Sequence, residues 1–415
     1  MSAMSFLTLG LSKDLLRAVG YAGYQQPTAI QAQSIPLILK GKDVIAEAKT
    51  GTGKTAGFAL PILQLLQVVP HEEHKTIKAL ILIPTRELGM QVSSAIKIYG
   101  RYLSKPLRSV LLVGGLNIDV QLRSLIHTTD IVVATPGRLV DVMQRQKINF
   151  NSLKFLVIDE ADKMFDLGFA KELESVLSLL PLKRQNLLFS ATINDKVRVL
   201  AQKFMPEAVN IKIEDAAPTV ERVHQRAIEV NRTNRGPLLR YLIQTEKWQH
   251  VLIFVASVRA ADILMAKFNK INIRTEAFHG GLTQAQRTQV LSDFKNKRVN
   301  MLVATDLAAR GLDIDKLSYV VNYDLPRSTD DYIHRIGRTA RAGETGTAIT
   351  FIGHEDQAHF ALIEQRVRMR LPRESINGFE LTGEPLADVK NKAPIKGLRM
   401  SKKDKARAAA AKKEG

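Results

Sequence analysis

The sequence predicts an α/β protein with two parallel-sheet domains in tandem. Three observations predict it. Short apolar runs rich in Val, Ile and Leu recur along the chain, and such runs read as strands buried on both faces. Stretches of helical period lie between them, for example residues 172–180 and 260–268, and strand–helix alternation implies parallel pairing. The segment 206–218 interrupts the alternation with a proline at each end and no clear period.

Taken in order, the first half offers strands at 43–46, 78–83, 109–113, 131–134, 155–158 and 187–189. The second half offers 251–255, 275–278, 301–304, 319–322 and 348–352. The expected organisation is an N-terminal segment (1–30), a first domain (31–205), a linker (206–217), a second domain (218–370) and a basic, disordered tail (371–415). Residues 391–415 carry nine Lys and Arg against two Asp and Glu, net +7. A tail of this kind suits nonspecific phosphate contact, the alternative being a solvated end without a partner.

Composition narrows the function. The 415 residues are 45% hydrophobic, enough for sizeable cores, and 25 Gly with 15 Pro exclude a fibrous or wholly disordered chain. A net charge of +19 points to a polyanion, either nucleic acid or an anionic membrane surface. Cysteine is absent, which removes disulfides, thiol nucleophiles and thiolate zinc sites together. No apolar run is long enough to span a bilayer, and the N-terminus does not read as a signal peptide. The expectation is a soluble, cytoplasmic protein with no membrane partner.

Residues 46–55 read AEAKTGTGKT. They follow an expected strand and open an expected helix, the context a phosphate-binding loop requires. Glu47, Ala48, Lys49, Thr50, Gly51, Thr52, Gly53, Lys54 and Thr55 would then cradle a nucleotide. Gly51 and Gly53 let backbone N–H groups turn inward, Lys54 reaches the outer phosphates, and the Thr55 hydroxyl holds Mg²⁺. Ala48 stands where the general pattern has glycine.

The metal needs a carboxylate, and the apolar strand at 155–158 runs into Asp159, Glu160 and Asp162. Strand C-termini are where open α/β sheets bind ligands. Asp159 would anchor Mg²⁺, directly or through water, and Glu160 would orient and deprotonate the attacking water. The plainer alternative is an acidic first turn of a helix starting near Ala161. The run HEEH at 71–74 is not the zinc-protease pattern, whose histidines lie four apart on a helix, so no metal is expected there.

Residues 159–162 spell DEAD, and with the phosphate loop they make the chain resemble the DEAD-box ATP-dependent RNA helicases over about residues 6–352. Its general texture and short basic tail are similar to those of the bacterial RhlE-like subgroup. The resemblance implies two RecA-like domains, ATP and Mg²⁺ as cofactors, and RNA as partner. GYQQPTAIQ at 23–31 resembles the adenine-reading motif, with Phe6 as the isolated upstream aromatic. Gln31 would read the base edge, since an amide both donates and accepts, and Tyr24 would stack on the ring. PTRELG at 84–89 (Pro84, Thr85, Arg86), Gly115 after Gly114, and TPGR at 135–138 (Thr135, Pro136, Gly137, Arg138) match the first-domain RNA contacts, with Gly89 where alanine is usual. Such groups suit phosphate and sugar rather than bases. Ser190 and Thr192 match the motif coupling hydrolysis to strand separation, with Asp162.

In the second half the resemblance assigns Arg287 and Thr305 to RNA, Asp313 to the ribose and His334 to coupling; Arg310 falls on the RNA and interdomain side. Arg335, Arg338 and Arg341 recur every three residues. On a helix they would share one stripe, pointing Arg338 and Arg341 at the γ-phosphate, and Ala340 stands where glycine is usual. The implied activity is ATP-dependent gripping of a single-stranded RNA backbone between two domains, opening short duplexes or remodelling ribonucleoprotein. Ribosomal precursors and RNA-degradation complexes are the implied partners, in ribosome biogenesis or RNA turnover. The alternatives are an ATP-gated RNA clamp that does little unwinding, and a DNA translocase.

Overall fold

The computed structural model describes residues 5–49, 51–69, 77–125, 129–146, 148–213, 223–309, 314, 317–339 and 346–383. The chain divides into two compact units, each built on one seven-stranded parallel sheet.

The first sheet uses β1 (Val44–Glu47), β2 (Ala79–Leu82), β3 (Ser109–Leu112), β4 (Ile131–Ala134), β5 (Phe155–Asp159), β6 (Gln185–Ser190) and β7 (Val209–Lys212). Their order across the sheet is β3-β4-β2-β5-β6-β1-β7. Side chains alternate across a strand, and along β2 this sends Ala79 and Ile81 into one core and Leu80 and Leu82 into the other. Both faces are covered, which is why these strands read as unbroken apolar runs. Phe58 and Phe189, both fully buried, tie the helix Lys54–Val68 to the sheet with ring centroids 5.3 Å apart.

The second sheet uses β8 (Val223–Glu229), β9 (Val251–Val255), β10 (Thr275–Phe278), β11 (Met301–Thr305), β12 (Tyr319–Asn322), β13 (Gly346–Ile352) and β14 (Arg373–Glu374), in the order β10-β11-β9-β12-β13-β8-β14. Among the described residues no helix is long and apolar enough to cross a membrane.

Two expected boundaries are corrected. The first unit does not end at 205, because β7 lies in the expected linker and pairs in register with β1, Val44 opposite Val209 and Glu47 opposite Lys212. It is an edge strand with Ile211 as its one buried side chain, so its pattern resembled a loop. The tail does not begin at 371, because β14 pairs with β8 and Leu371 is buried. Phe379 stacks near Tyr241 at 5.5 Å, and Asn231 donates to the Thr382 hydroxyl at 2.8 Å. Residues 214–217 of the linker and 384–415 of the tail lie outside the described residues, as do residues 71–74. Strand β8 escaped the sequence reading because Gln225 and Arg226 break its apolar run; Arg226 is paired with Glu246 and Glu374.

The strand β7 sets a testable boundary. A fragment ending at residue 213 keeps the Ile211 contact and one ending at 205 loses it. Burial of such a side chain contributes about 1.5–3 kcal/mol, so the shorter fragment should melt about 5 °C lower or more, measured by calorimetry.

Candidate active site

The C-terminal ends of β1, β5 and β6 meet at one edge of the first sheet. Glu47 pairs across from Ser190, and Asp159 from Phe189. The phosphate-loop residues leave β1 here. Ala48 is buried and donates its N–H to the Ser190 carbonyl at 2.9 Å, so an alanine in place of glycine is held as an extension of the ladder. The Thr52 hydroxyl closes on the Lys49 carbonyl at 2.8 Å. Gly53 caps the helix Lys54–Val68 at φ 84°, a conformation that favours glycine. Thr50 lies outside the described residues.

Lys54 is the telling side chain. It is 6% exposed, and its Nζ is buried with no hydrogen-bond partner among the described residues. A buried ammonium without a partner is costly. Set at a helix N-terminus, it fits a bound phosphate. Thr55 follows in the first turn. The residues therefore fit a nucleotide triphosphate, with Thr55 and Asp159 available for its Mg²⁺.

Gln31 reaches the same loop. Its amide nitrogen donates to the Gly53 carbonyl at 3.1 Å, and its amide oxygen accepts from Thr28 N–H at 3.0 Å. This makes Thr28 and Gln31 a capping box for the helix Ala29–Leu39. Both ends of the amide are engaged with the protein, so Gln31 ties the start of its helix to the phosphate loop. Tyr24, 39% exposed, packs on Phe6.

Asp159 and Glu160 are both buried. Burial pushes the Asp159 carboxyl up to about 6, opposed by the charge of Lys54 and reinforced by that of Glu160. A divalent cation beside it would offset the burial. Glu160 sits in the left-handed region at φ 53°, and its Oε2 meets Lys163 Nζ at 2.7 Å. The sequence reading omitted Lys163, although its i, i+3 spacing from Glu160 was a usable signal. The helix Ala161–Asp166 begins where expected.

Asp162, Ser190 and Thr192, the expected coupling residues, come together. Thr192 donates to Asp162 Oδ2 through both its N–H and its hydroxyl, each at 3.0 Å. Asp162 N–H donates to the Ser190 hydroxyl at 3.2 Å, and that hydroxyl donates to the Thr192 carbonyl at 2.8 Å. The turn after β6 is thus fastened to the acidic motif after β5.

The expected RNA contacts of the first unit gather on neighbouring strand ends. Pro84 and Thr85 follow β2, and Thr85 caps the helix Arg86–Tyr99. Arg86 lies across Gly115: a Cβ there would fall 2.5 Å from the guanidinium carbon, and Gly115 has φ 74°. Burial lowers the Arg86 pKa. Thr135 caps the helix Pro136–Arg145 with Pro136 at its first position, and Gly137 follows. Arg138 donates to the Leu116 carbonyl at 3.1 Å. Gln121, absent from the sequence reading, grips the same loop through the Val113 N–H at 2.9 Å and carbonyl at 3.1 Å. At Gly89, where alanine is usual, a Cβ would meet the Cδ1 methyl of Leu111 at 2.9 Å and that of Ile83 at 3.1 Å, so those side-chain ends would have to shift.

Arg287 lies on the helix Gln284–Lys295, and in the second unit Thr305 ends β11. His334 lies on the helix Thr329–Ile336. The expected arginine stripe is corrected. That helix is capped by Gly337, so Arg338 lies beyond it and does not share its face with Arg335. Arg335 is 2% exposed and is bound to Asp306 at 2.6 and 2.7 Å and to Asn322 at 3.1 Å. It is committed to the fold. Arg310, Asp313, Ala340 and Arg341 lie outside the described residues.

Residues 28–200 match the DEAD/DEAH box helicase family, and residues 235–343 match the helicase conserved C-terminal domain. The DEAD-box ATP-dependent RNA helicase CshA of Bacillus subtilis is 39% identical over 370 residues, covering 89% of this chain and 74% of the relative. This chain belongs to the DEAD-box ATP-dependent RNA helicase family. The helicase is also 38% identical to CshA of Geobacillus kaustophilus, over 89% of this chain and 78% of that one. Yeast (S. cerevisiae) Dbp5 bound to RNA and ADP BeF3 aligns with it at a TM-score of 0.78 and 31% identity, covering 90% of this chain and 96% of that one. A DEAD box protein from the hyperthermophile Methanococcus jannaschii aligns at 0.53 and 36%, covering 89% and 99%. The two tandem RecA-like domains expected from the sequence are thereby established, and the helicase is an ATP-hydrolysing enzyme.

The cradle makes a sharp demand on Gly53. A Cβ there would fall 2.3 Å from Gln31 Nε2 in addition to straining the left-handed backbone. Gly53→Ala should weaken ATP binding by about tenfold or more, because shifts of ~1.4 kcal/mol change affinity tenfold, while the melting temperature moves only a few degrees. Calorimetric titration with ADP and Mg²⁺ checks it.

Proposed function

We propose that this helicase binds ATP·Mg²⁺ through Tyr24, Gln31, Lys54, Thr55 and Asp159, and grips the backbone of single-stranded RNA to open short duplexes or remodel ribonucleoprotein. The observation that carries the nucleotide site is the buried Lys54 Nζ at the start of the helix Lys54–Val68, with no hydrogen-bond partner among the described residues. Glu160 orients and deprotonates the attacking water, whose oxygen then attacks the γ-phosphorus as the bond to the ADP leaving oxygen breaks. Lys163 Nζ, 2.7 Å from Glu160 Oε2, holds that carboxylate in place. The bonds from Thr192 and Ser190 to Asp162 give a path by which a change at the phosphates reaches the turn after β6.

The RNA reading is supported by the clustering of Arg86, Gly115, Thr135 and Arg138 at adjacent strand ends, where hydroxyls, amides and guanidinium groups suit phosphate and sugar. The resemblance adds Arg287 and Thr305 to the RNA contacts, gives His334 a coupling role, and assigns Arg338, Arg341 and Asp313 to the nucleotide. Coupling between the two ligands is reciprocal, so ATP and RNA tighten each other by the same free energy. The resemblance supports RhlE-like character and work on ribosomal precursors or RNA-degradation complexes, and the sequence pattern supports a cytoplasmic setting.

ATP turnover with no nucleic acid, with single-stranded RNA and with matched DNA tests this reading. RNA alone should stimulate turnover severalfold, and Lys54→Ala should abolish it. Equal stimulation by DNA would overturn the RNA assignment, and near wild-type turnover in Lys54→Ala would overturn the nucleotide site.

The neutral amide in Glu160→Gln cannot take the water's proton. Turnover should fall by ~10²–10⁴ while ATP and RNA binding persist, with RNA released more slowly in ATP. Loss of ATP binding in a filter or titration assay would remove the role given to Glu160.

A further inference from the structure

Tyr24 has no regular element of its own. It follows the turn after the helix Lys13–Tyr21, with its N–H donating to the Val19 carbonyl at 3.1 Å. Side-chain contacts must therefore set its ring. Phe6, 4% exposed, lies nearly parallel to it with centroids 6.4 Å apart and planes 19° apart. Tyr99 lies at 6.3 Å and 56°, and the two hydroxyl oxygens are 2.8 Å apart.

The two hydroxyls are not equivalent. Tyr99 is 4% exposed and ends the 14-residue helix Arg86–Tyr99, whose buried face includes Leu88, Val92 and Ile96. Its phenol is fixed in the core. Burial first, then the Tyr24 hydroxyl, push its ionisation well above the ordinary tyrosine range, so it stays a neutral hydrogen-bonding group. A buried hydroxyl needs a partner, and this one is directed at the exposed member of the pair. Tyr24 keeps 39% of its surface exposed.

We infer that Tyr99 is the positioning residue for the base-contacting ring: its hydroxyl fixes the attitude of Tyr24, with Phe6 against one face and the other left for a purine. The inference rests on the reading that Tyr24 stacks on adenine. Stacking depends on ring offset and angle. A free Tyr24 ring would have to be ordered when ATP binds, and that ordering lowers affinity. A ring held beforehand avoids that loss. Tyr99 acts through Tyr24 and touches no nucleotide itself.

Steady-state ATP turnover by the full chain, saturated with oligo(U), tests it. Tyr99→Phe removes one oxygen and keeps the ring. It should raise KM for ATP about three- to tenfold and leave kcat within about twofold. Inorganic tripolyphosphate has no base, and its inhibition constant should not move. Tyr24→Phe breaks the same bond, so the effects of the two changes should fail to multiply in the double variant. Tyr24→Ala controls the underlying reading. If Tyr24→Ala leaves KM unchanged, adenine stacking on Tyr24 is wrong and the inference falls with it. If Tyr24→Ala raises KM and Tyr99→Phe does not, stacking stands and the positioning role is overturned. Equal weakening of ATP and tripolyphosphate, or effects that multiply in the double variant, would also overturn it.

Discussion

The in-register parallel pairing of β5, β6 and β1 is the constraint on which the site depends. Asp159 stands opposite Phe189, and Glu47 opposite Ser190. Each strand then releases one functional segment at the same edge: the phosphate loop after Glu47, the acidic motif from Asp159, and the Ser190–Thr192 turn. A one-residue slip would send each strand's side chains to the wrong face. Both cores forbid it, because Phe189 packs in one and Leu188 in the other. Hydrophobic burial on two faces thus fixes where a carboxylate and a hydroxyl meet.

That edge gathers charge in a place where charge is costly. Lys54, Asp159, Glu160, Asp162 and Lys163 are all less than 7% exposed. Buried ions persist only when paired or hydrogen-bonded. Asp162 is satisfied by Thr192, and Glu160 by Lys163. Asp159 accepts from the Glu160 N–H at 2.9 Å yet is still pushed up by its surroundings, and Lys54 has only electrostatic company. The two groups left least satisfied are an ammonium at a helix N-terminus and a carboxylate at a strand end. A phosphate would answer the first and a divalent cation the second. Electrostatic imbalance, rather than shape, therefore marks the nucleotide position.

Much of the fold was legible because buried parallel strands are continuous apolar runs. The strands 131–134, 251–255, 275–278 and 319–322 keep their expected limits. What escaped lay at a sheet edge or next to one, where fewer side chains are apolar and buried. β7 buries only Ile211, β14 is two residues long, and β8 carries Gln225 and Arg226 in its middle. In the site, motif order located the phosphate loop, the acidic motif and its hydroxyl partners. Contacts between residues distant in sequence were not legible. Gln121 looks like any helix glutamine until it is seen bridging both backbone groups of Val113. Tyr99 is an ordinary amphipathic-helix tyrosine until Tyr24 is brought to it across 75 positions. Lys163 was legible by spacing and was passed over.

Spacing misled at the arginines, and the physical reason is instructive. A three-residue repeat marks a helical stripe only while the helix continues. Here Gly337 ends it, and the Arg338 N–H bonds back to the Arg335 carbonyl at 3.1 Å in the closing turn. Arg335 faces inward and binds Asp306, Asn322 and the Asp324 carbonyl. Asn322 donates to Thr350 at 3.1 Å, Tyr332 lies 3.4 Å from the same hydroxyl, and Tyr332 donates to Gln225 at 2.9 Å. A buried polar chain thus runs from β8 through β13 and β12 to the residue just past Thr305. Every member has a partner, which is the condition under which such a network rigidifies a core. Arg335 therefore serves the second unit as Asp162 serves the first: each is a buried charge that fixes the end of one strand relative to the next.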